Sequence, residues 1–154
     1  MINSWDKYYL KSALFLAENR SKDRSTKVGA IIIGDDNERL TDGYNGFPRK
    51  INDDIDSRHE RPVKYFYAEH AERNAIYNAA RNGIRLKDST LYVTGTPCSD
   101  CARAIIQSGI KRVVSLTIDL DSRKDWGDSM QKSLEMFKEA EVVFEKISLE
   151  EIEK

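Results

Sequence analysis

The chain has 154 residues, a length that favours one domain over residues 1–154 and suffices for a hydrophobic core without disulfides. Its 25 Lys and Arg balance 26 Asp and Glu, so the formal net charge of −1 argues against a protein that coats nucleic acid. The N-terminus lacks a secretory signal pattern and no apolar run is long enough to span a bilayer, so we expect a cytoplasmic protein that binds neither membrane nor nucleic acid.

The first part of the chain predicts a helix, a hairpin and a long loop. Apolar residues at helical spacing predict a helix over residues 4–19. The branched run at 28–33, followed by turn residues at 34–37, predicts a strand that pairs with a second strand at 39–44. Residues 45–66 are rich in Gly, Pro, Asp and Arg and predict a long loop, which in a compact domain often carries function.

The second part predicts helices alternating with strands. Helices are expected over 69–82, ended by Gly83, over 97–107, closed by Gly109, and over 128–140; strands are expected over 90–94, 112–116 and 141–144. The charged tail 148–154 is expected to fray. Because strands alternate with helices, we predict an α/β fold, a three-layer α/β/α sandwich with one central mixed sheet.

Two short motifs carry metal-binding and acid–base side chains. They are His70-Ala71-Glu72 and Pro97-Cys98-Ser99-Asp100-Cys101, and each is predicted to open a helix. A helix start favours the thiolate form that metals bind. One His and two Cys form a three-ligand zinc set that leaves a fourth position open for water. Glu72 is two residues from the histidine and is free to carry protons.

Other interpretations of these motifs exist. A lone Cys-x-x-Cys is also half of a structural zinc site or a redox pair. A structural site is closed by a fourth ligand, and His59 is the only other histidine in the chain. We interpret His59 as a solvated loop residue and regard the two motifs together as specific.

Four segments resemble a known family. They are residues 21–30, Gly43-Tyr44-Asn45-Gly46-Phe47-Pro48-Arg49, residues 70–76 and residues 97–101. Over about residues 4–118 the chain resembles the deoxycytidylate (dCMP) deaminases of the cytidine deaminase-like zinc superfamily. The zinc motifs indicate only the superfamily. The Gly-Tyr-Asn-Gly-Phe-Pro segment narrows the resemblance to the dCMP deaminase branch. The resemblance implies hydrolysis of dCMP to dUMP and ammonia, which feeds dTMP synthesis.

The resemblance also implies roles for individual residues. His70, Cys98 and Cys101 would hold zinc, and Glu72 would shuttle protons. Asn45 would bind the sugar hydroxyl, while Val28 and the backbone amide of Ala71 would line the base pocket. Trp126 is a further candidate that would cover this pocket. The chain departs from the family at Arg24, where proline is usual, and at Thr96, where glutamate is frequent.

Many members of the family are homohexamers that dCTP activates and dTTP inhibits. The resemblance therefore implies an effector site at Gly43, Tyr44 and Gly46. The basic residues Lys22 and Arg24 are our candidates for holding the triphosphate, with Mg²⁺ bridging its phosphates. The same segment is also typical of a tight turn with glycines at positive φ. Lys22, Arg24, Lys27 and Arg49 are either solvated charges or ligands of a substrate phosphate.

Three alternative functions share some of these features. A tRNA adenosine deaminase would carry both zinc motifs but would need a basic RNA-binding surface. A free-cytidine deaminase needs no phosphate-binding groups. A non-catalytic nucleotide-binding zinc module has no need of Glu72.

Overall fold

The computed structural model describes residues 2–117 and 124–154, and for residues 124–126 it describes the backbone alone. In chain order, the elements are α1 (Ser4–Arg20), β1 (Gly29–Ile33), β2 (Arg39–Tyr44), a 3₁₀ helix (Asp56–His59), α2 (Lys64–Tyr67), α3 (Ala71–Asn82), β3 (Thr90–Val93), α4 (Ser99–Gln107), β4 (Arg112–Leu116), α5 (Lys124–Glu139), β5 (Val143–Ile147) and α6 (Leu149–Glu153). Within these residues, no helix combines the length and the hydropathy needed to cross a membrane.

The five strands form one mixed sheet in the order β2-β1-β3-β4-β5. Strand β1 runs antiparallel to both β2 and β3, whereas β3, β4 and β5 are parallel. Every residue of β1 is buried, because helices cover both of its faces. A continuous apolar run is the sequence expected for such a strand.

Helices cover the sheet on both faces and divide the core in two. On one face α1 and α6 contribute Leu10, Ala13 and Ile152 to a cluster with alternate residues of the strands. On the other face α3, α4 and α5 contribute Ala75, Ile105 and Phe137. This arrangement confirms the predicted three-layer α/β/α sandwich with a central mixed sheet.

Close packing of α3 on β2 fixes where α3 begins. A Cβ atom on Gly43 would overlap the backbone of Ala71 and of the Asn74–Ala75 peptide, so only glycine allows this approach. The Thr41 hydroxyl also donates to the Ala75 carbonyl oxygen at 2.9 Å. The expectation of positive φ at Gly43 and Gly46 is wrong, since neither glycine adopts it. Gly43 lies in a strand and serves this close approach.

The chain differs from the sequence prediction mainly near its end. Residues 149–153 form a helix rather than a frayed tail, because Ser148 and Glu151 form a capping box and Ile152 is buried. Helix α5 begins at residue 124 instead of 128, and β5 covers 143–147 instead of 141–144. In the predicted loop, residues 56–59 and 64–67 are helical.

Candidate metal centre and active site

The two motifs begin the helices α3 and α4, as the sequence predicts. His70 is the N-cap residue of α3 and Cys98 is the N-cap residue of α4, and both have extended backbone conformations. Cys101 lies in the first turn of α4 and is fully buried. The two helix starts meet at one edge of the sheet and bring the three side chains together.

The geometry of these side chains fits a tetrahedral metal ion. The Nδ1 atom of His70 lies 3.4 Å from the Sγ atom of Cys98 and 3.4 Å from that of Cys101. A tetrahedral zinc ion with ligands at about 2.0–2.3 Å holds neighbouring donor atoms about 3.6 Å apart. In the described part of the chain, this is the only group of three or more His, Cys, Asp and Glu side chains placed to share an ion. The chain therefore offers three ligands and leaves one position open.

Hydrogen bonds within the group prepare one cysteine for metal binding. The hydrogen bond from the Cys101 thiol, together with that from His70, lowers the pKa of Cys98 to about 4. The same contact with Cys98 and the burial of the side chain raise the pKa of Cys101 well above its usual value. A thiolate is the form that binds zinc, and zinc binding displaces the remaining thiol proton.

Glu72 lies beside this group, in the first turn of α3. Its residue exposure is 5%, and burial raises the pKa of its carboxyl group, an effect that the nearby His70 partly offsets. A carboxyl group whose pKa moves towards neutrality is suited to both accepting and donating a proton near pH 7. The structure therefore combines a three-ligand metal centre with an adjacent acid–base group.

His70, Cys98 and Glu72 line a cavity of about 590 Å³, which is within the usual range for small-molecule sites, and Cys101 is buried behind its wall. Val28, Asn45 and Ala71, the residues expected to contact substrate, line the same cavity. The side chain of Trp126 lies outside the described residues. The start of α5 reaches the cavity through Ser129 and Met130, and the Ser129 hydroxyl accepts the Ser99 backbone N–H at 2.9 Å.

The Asn45 side chain makes hydrogen bonds with the segment at residues 21–28. Its Oδ1 atom accepts the Val28 N–H at 2.9 Å and the Ser21 hydroxyl at 2.5 Å, and its Nδ2 atom donates to the Thr26 carbonyl oxygen at 2.6 Å. Asn45 thus holds residues 21–28 in place along the cavity, and one N–H of its amide stays available for a ligand.

Sequence reasoning missed the cationic residues that line this cavity. None of Lys22, Arg24, Lys27 and Arg49 lies along it, and the cations that do are Arg61, Lys64 and Arg73. The signals in the sequence were weak: Arg61 and Lys64 belong to the predicted loop, and Arg73 follows His70 by three residues within the motif helix. Arg61 and Lys64 reach this cavity only because the loop folds against it.

A second, smaller cavity of about 110 Å³ adjoins the first. Lys22, Arg24 and Gly46 line it, whereas Gly43 and Tyr44 do not. It shares Asp23, Lys64 and Ala68 with the larger cavity. The two cavities therefore adjoin at these three residues.

His59 also lines the smaller cavity and is half-buried rather than solvated. Its ring stacks on Phe47 with centroids 4.7 Å apart, and its Nε2 atom lies 2.6 Å from the Asp53 carbonyl oxygen. The interpretation of His59 as a solvated loop residue is wrong, because the 3₁₀ helix folds it against Phe47.

Comparison with known proteins assigns the family. Residues 3–117 match the family model described as the cytidine and deoxycytidylate deaminase zinc-binding region. The chain belongs to this family. Because the family is defined by zinc binding, the metal implied by the His/Cys/Cys group is Zn²⁺.

Individual relatives are similar over different lengths. The chain is 38% identical to deoxycytidylate deaminase of Mus musculus, over 94% of this chain and 80% of that one. It is 42% identical to the probable deoxycytidylate deaminase of Drosophila melanogaster, but it spans only 59% of that protein's length. The structure of dCMP deaminase from cyanophage S-TIM5 in complex with dCMP and dUMP is 25% identical, with a TM-score of 0.74, over 96% of this chain and 99% of that one.

Proposed function

We propose that residues 1–154 form a single deaminase domain that hydrolyses dCMP to dUMP and ammonia. One observation carries this proposal: two members of the His70, Cys98 and Cys101 group, His70 and Cys98, line one cavity with the buried Glu72 and with Val28, Asn45 and Ala71. The mouse relative is named for this activity, and the cyanophage structure contains dCMP and dUMP. The product would feed dTMP synthesis.

We assign zinc to His70, Cys98 and Cys101, since these three donors suit zinc and leave a fourth position open. When bound, zinc acts as a Lewis acid that makes hydroxide available from water near neutral pH. Both thiolates lie at the N-terminus of α4, where the backbone dipoles stabilise negative charge.

Glu72 carries the protons in this proposal. It accepts a proton from the attacking water and delivers it to ring N3 of the cytosine, so that C4 becomes tetrahedral. It then transfers the second proton of that water to the amino group, which leaves as ammonia while the C4 carbonyl forms. The raised pKa of Glu72 favours the acceptance of the proton, because burial makes its charged form a better proton acceptor, and a pKa nearer neutrality still lets the carboxyl group release that proton again.

The remaining residues would position the nucleotide. Val28 and the backbone amide of Ala71 bound the cavity next to Glu72, where the base must lie. Asn45 orders residues 21–28 and offers its remaining amide N–H to the sugar hydroxyl. We retain Trp126 as a cover for the base.

The test is a deamination assay with dCMP, deoxycytidine and cytidine, following the loss of cytosine absorbance, on protein whose zinc content has been measured. We expect one zinc per chain and a preference for dCMP. Cys98→Ala should lose both zinc and activity, because two ligands alone hold the ion weakly. Full zinc in that variant, or equal efficiency with cytidine, would contradict the proposal.

We also propose that the protein is a homohexamer activated by dCTP and inhibited by dTTP. The smaller cavity supports an effector site, since Lys22, Arg24 and Gly46 line it and it shares Asp23 and Lys64 with the larger one. Its volume of about 110 Å³ suits part of a triphosphate, with Mg²⁺ bridging the phosphates, rather than a whole nucleotide. Gly43 and Tyr44 would contribute to this effector site from the adjoining strand β2.

An effector changes activity only through different affinities for two states of the enzyme. Asn45 connects the cavities, because its neighbour Gly46 lines the smaller one and Asn45 itself lines the larger one. The test is a dCMP titration at several fixed dCTP and dTTP concentrations, together with sedimentation analysis of the assembly. Curves altered only by simple competition would overturn the regulatory proposal.

A further inference from the structure

The cations along the larger cavity differ in how they are neutralised. Lys64 and Arg73 each have carboxylate partners. The Nζ atom of Lys64 lies 3.0 Å from Asp23, and both side chains are only 10% exposed. Arg73 pairs with Glu69 at 2.5 Å and lies 3.5 Å from Asp100. These two charges are balanced within the protein.

Arg61 is the exception. Its side chain is exposed and lines the cavity, but it forms no hydrogen bond or ion pair with any residue in the described ranges 2–117 and 124–154. Among the three cations that line this cavity, Arg61 therefore has no acidic partner within the described residues.

The backbone that carries Arg61 is held in place on both sides. The Lys64 N–H donates to the Glu60 carbonyl oxygen at 2.8 Å, and the Tyr65 N–H donates to the Pro62 carbonyl oxygen at 3.1 Å. Lys64 is in turn anchored to the loop at 21–28, because its Nζ atom donates to Asp23 and to the Ser25 hydroxyl at 3.0 Å. Arg61 is thus presented to the cavity by a fixed segment, which reduces the entropy lost when it binds a ligand.

The cavity has a buried end at Glu72 and an exposed end at Arg61, and this difference indicates how a bound nucleotide is oriented. Glu72 is 5% exposed and lies beside the metal ligands, so the base must enter deepest. Arg61 is exposed and lies at the solvent end. A nucleotide with its base at Glu72 directs its most strongly hydrated group, the 5′-phosphate, towards that end.

We propose that Arg61 binds the 5′-phosphate of the substrate and sets the preference for a nucleoside monophosphate over the free nucleoside. The guanidinium group presents two parallel N–H donors that match two phosphate oxygens. The phosphate supplies the counter-charge that Arg61 lacks. This inference rests on the proposed deaminase function, since it assumes that the base lies at Glu72.

The test compares Arg61→Ala and Arg61→Lys with the wild-type zinc-loaded protein. Loss of a charge-assisted phosphate contact should lower the kcat/KM for dCMP relative to deoxycytidine by about 100-fold in Arg61→Ala. Arg61→Lys should recover part of this ratio, because it keeps the charge but not the paired donors. Arg20→Ala is the matched control, since Arg20 is an exposed arginine outside both cavities.

A binding measurement separates the failure of this inference from the failure of the proposed function. Calorimetry with the products dUMP and deoxyuridine reports the contribution of the phosphate without turnover. We expect Arg61→Ala to lose most of the preference for dUMP, while Arg20→Ala keeps it. An unchanged preference in Arg61→Ala, or no preference in the wild type, would overturn the role of Arg61. A wild type that binds dUMP through Arg61 but does not deaminate dCMP would overturn only the proposed reaction.

Discussion

Two buried carboxyl groups, Asp6 and Glu72, lie in the first turns of helices on opposite faces of the sheet. Burial by itself raises the pKa of both. For Asp6, hydrogen bonds from Arg112, the Asn3 backbone and Tyr92 outweigh burial, so its pKa lies below the usual value. For Glu72, burial prevails and its pKa is raised.

The difference between them lies in their partners. Asp6 accepts hydrogen bonds from Arg112 at 2.7 Å, from the Tyr92 hydroxyl at 2.7 Å and from the Asn3 N–H at 3.0 Å. This network joins α1 to β3 and β4 and keeps the Asp6 carboxylate ionised near neutral pH. Glu72 faces a cavity instead, beside the metal ligands. A buried carboxylate that is paired with protein groups on all sides has a structural role. A buried carboxyl group that faces a cavity is instead a candidate for acid–base chemistry.

The strongest test of this contrast is Glu72→Gln. We expect kcat for dCMP to fall about 10³- to 10⁴-fold, because the amide carries no proton between water, ring nitrogen and amine. Zinc content and dUMP affinity should be retained, since Glu72 is not among the three ligands. The midpoint of thermal unfolding should be unchanged or higher, because the variant removes a carboxylate that burial destabilises.

Kinetics on dCMP, metal analysis and thermal unfolding measure these three properties in one preparation. Near-normal turnover in Glu72→Gln would show that another group moves the protons. A large loss of stability without a loss of turnover would place Glu72 with Asp6, as a structural residue.

Asp6→Asn should give the reverse pattern. The substitution leaves Arg112 facing a neutral side chain in a largely buried position, where Glu145 is its other carboxylate partner among the described residues. Breaking such a pair costs about 3 kcal/mol of stability, or roughly 6–12 °C in Tm for a chain of this size. The kcat of the folded fraction should stay close to wild type, because Asp6 is not among the residues that line the cavity.

Asp35→Asn is the matched control for this variant. Asp35 pairs with Lys111 at 2.5 Å, but these side chains are 67% and 53% exposed. An exposed pair contributes about 1 kcal/mol or less. Equal unfolding midpoints in urea for Asp6→Asn and Asp35→Asn would contradict a structural role for the buried network.

The parts of the fold that local sequence determines were predictable. The helix starts at His70 and Cys98 and the cap at Gly83 follow from a few neighbouring residues, so the candidate metal-binding group and the neighbouring Glu72 could be located from their motifs. The mixed sheet followed from the order of the elements. The capping box at Ser148 and Glu151 was equally visible, and its omission is why α6 was expected to fray.

The contacts between distant segments were not predictable. Lys64 meets Asp23 across 41 residues, and Arg112 meets Asp6 across 106. No periodicity or motif encodes such pairs, because they depend on how the loop at 45–66 and the helix α1 pack on the sheet. For the same reason the sequence pointed to basic residues at 22–27 and 49 for the phosphate, rather than to Arg61.

The smallest expected effect is the pH dependence of the Asp6 network. Because the pKa of Asp6 is lower in the folded protein than the value of about 3.9 in an unfolded chain, the folded state holds the proton less tightly. Its stabilising contribution is fully present above the unfolded pKa and is lost as the pH falls through the folded pKa. The difference in unfolding free energy between wild type and Asp6→Asn should therefore stay constant from about pH 7 to pH 5 and shrink below about pH 4.

Urea unfolding of the two proteins at a series of pH values measures this difference, and the subtraction removes the other carboxylates, which titrate in both. Only part of the Asp6→Asn deficit should disappear at low pH, because the amide also packs and hydrogen-bonds differently from a protonated acid. A difference that grows on acidification would mean that the folded state binds the Asp6 proton more tightly. In that case burial would outweigh Arg112 and Tyr92, and Asp6 would resemble Glu72 rather than contrast with it.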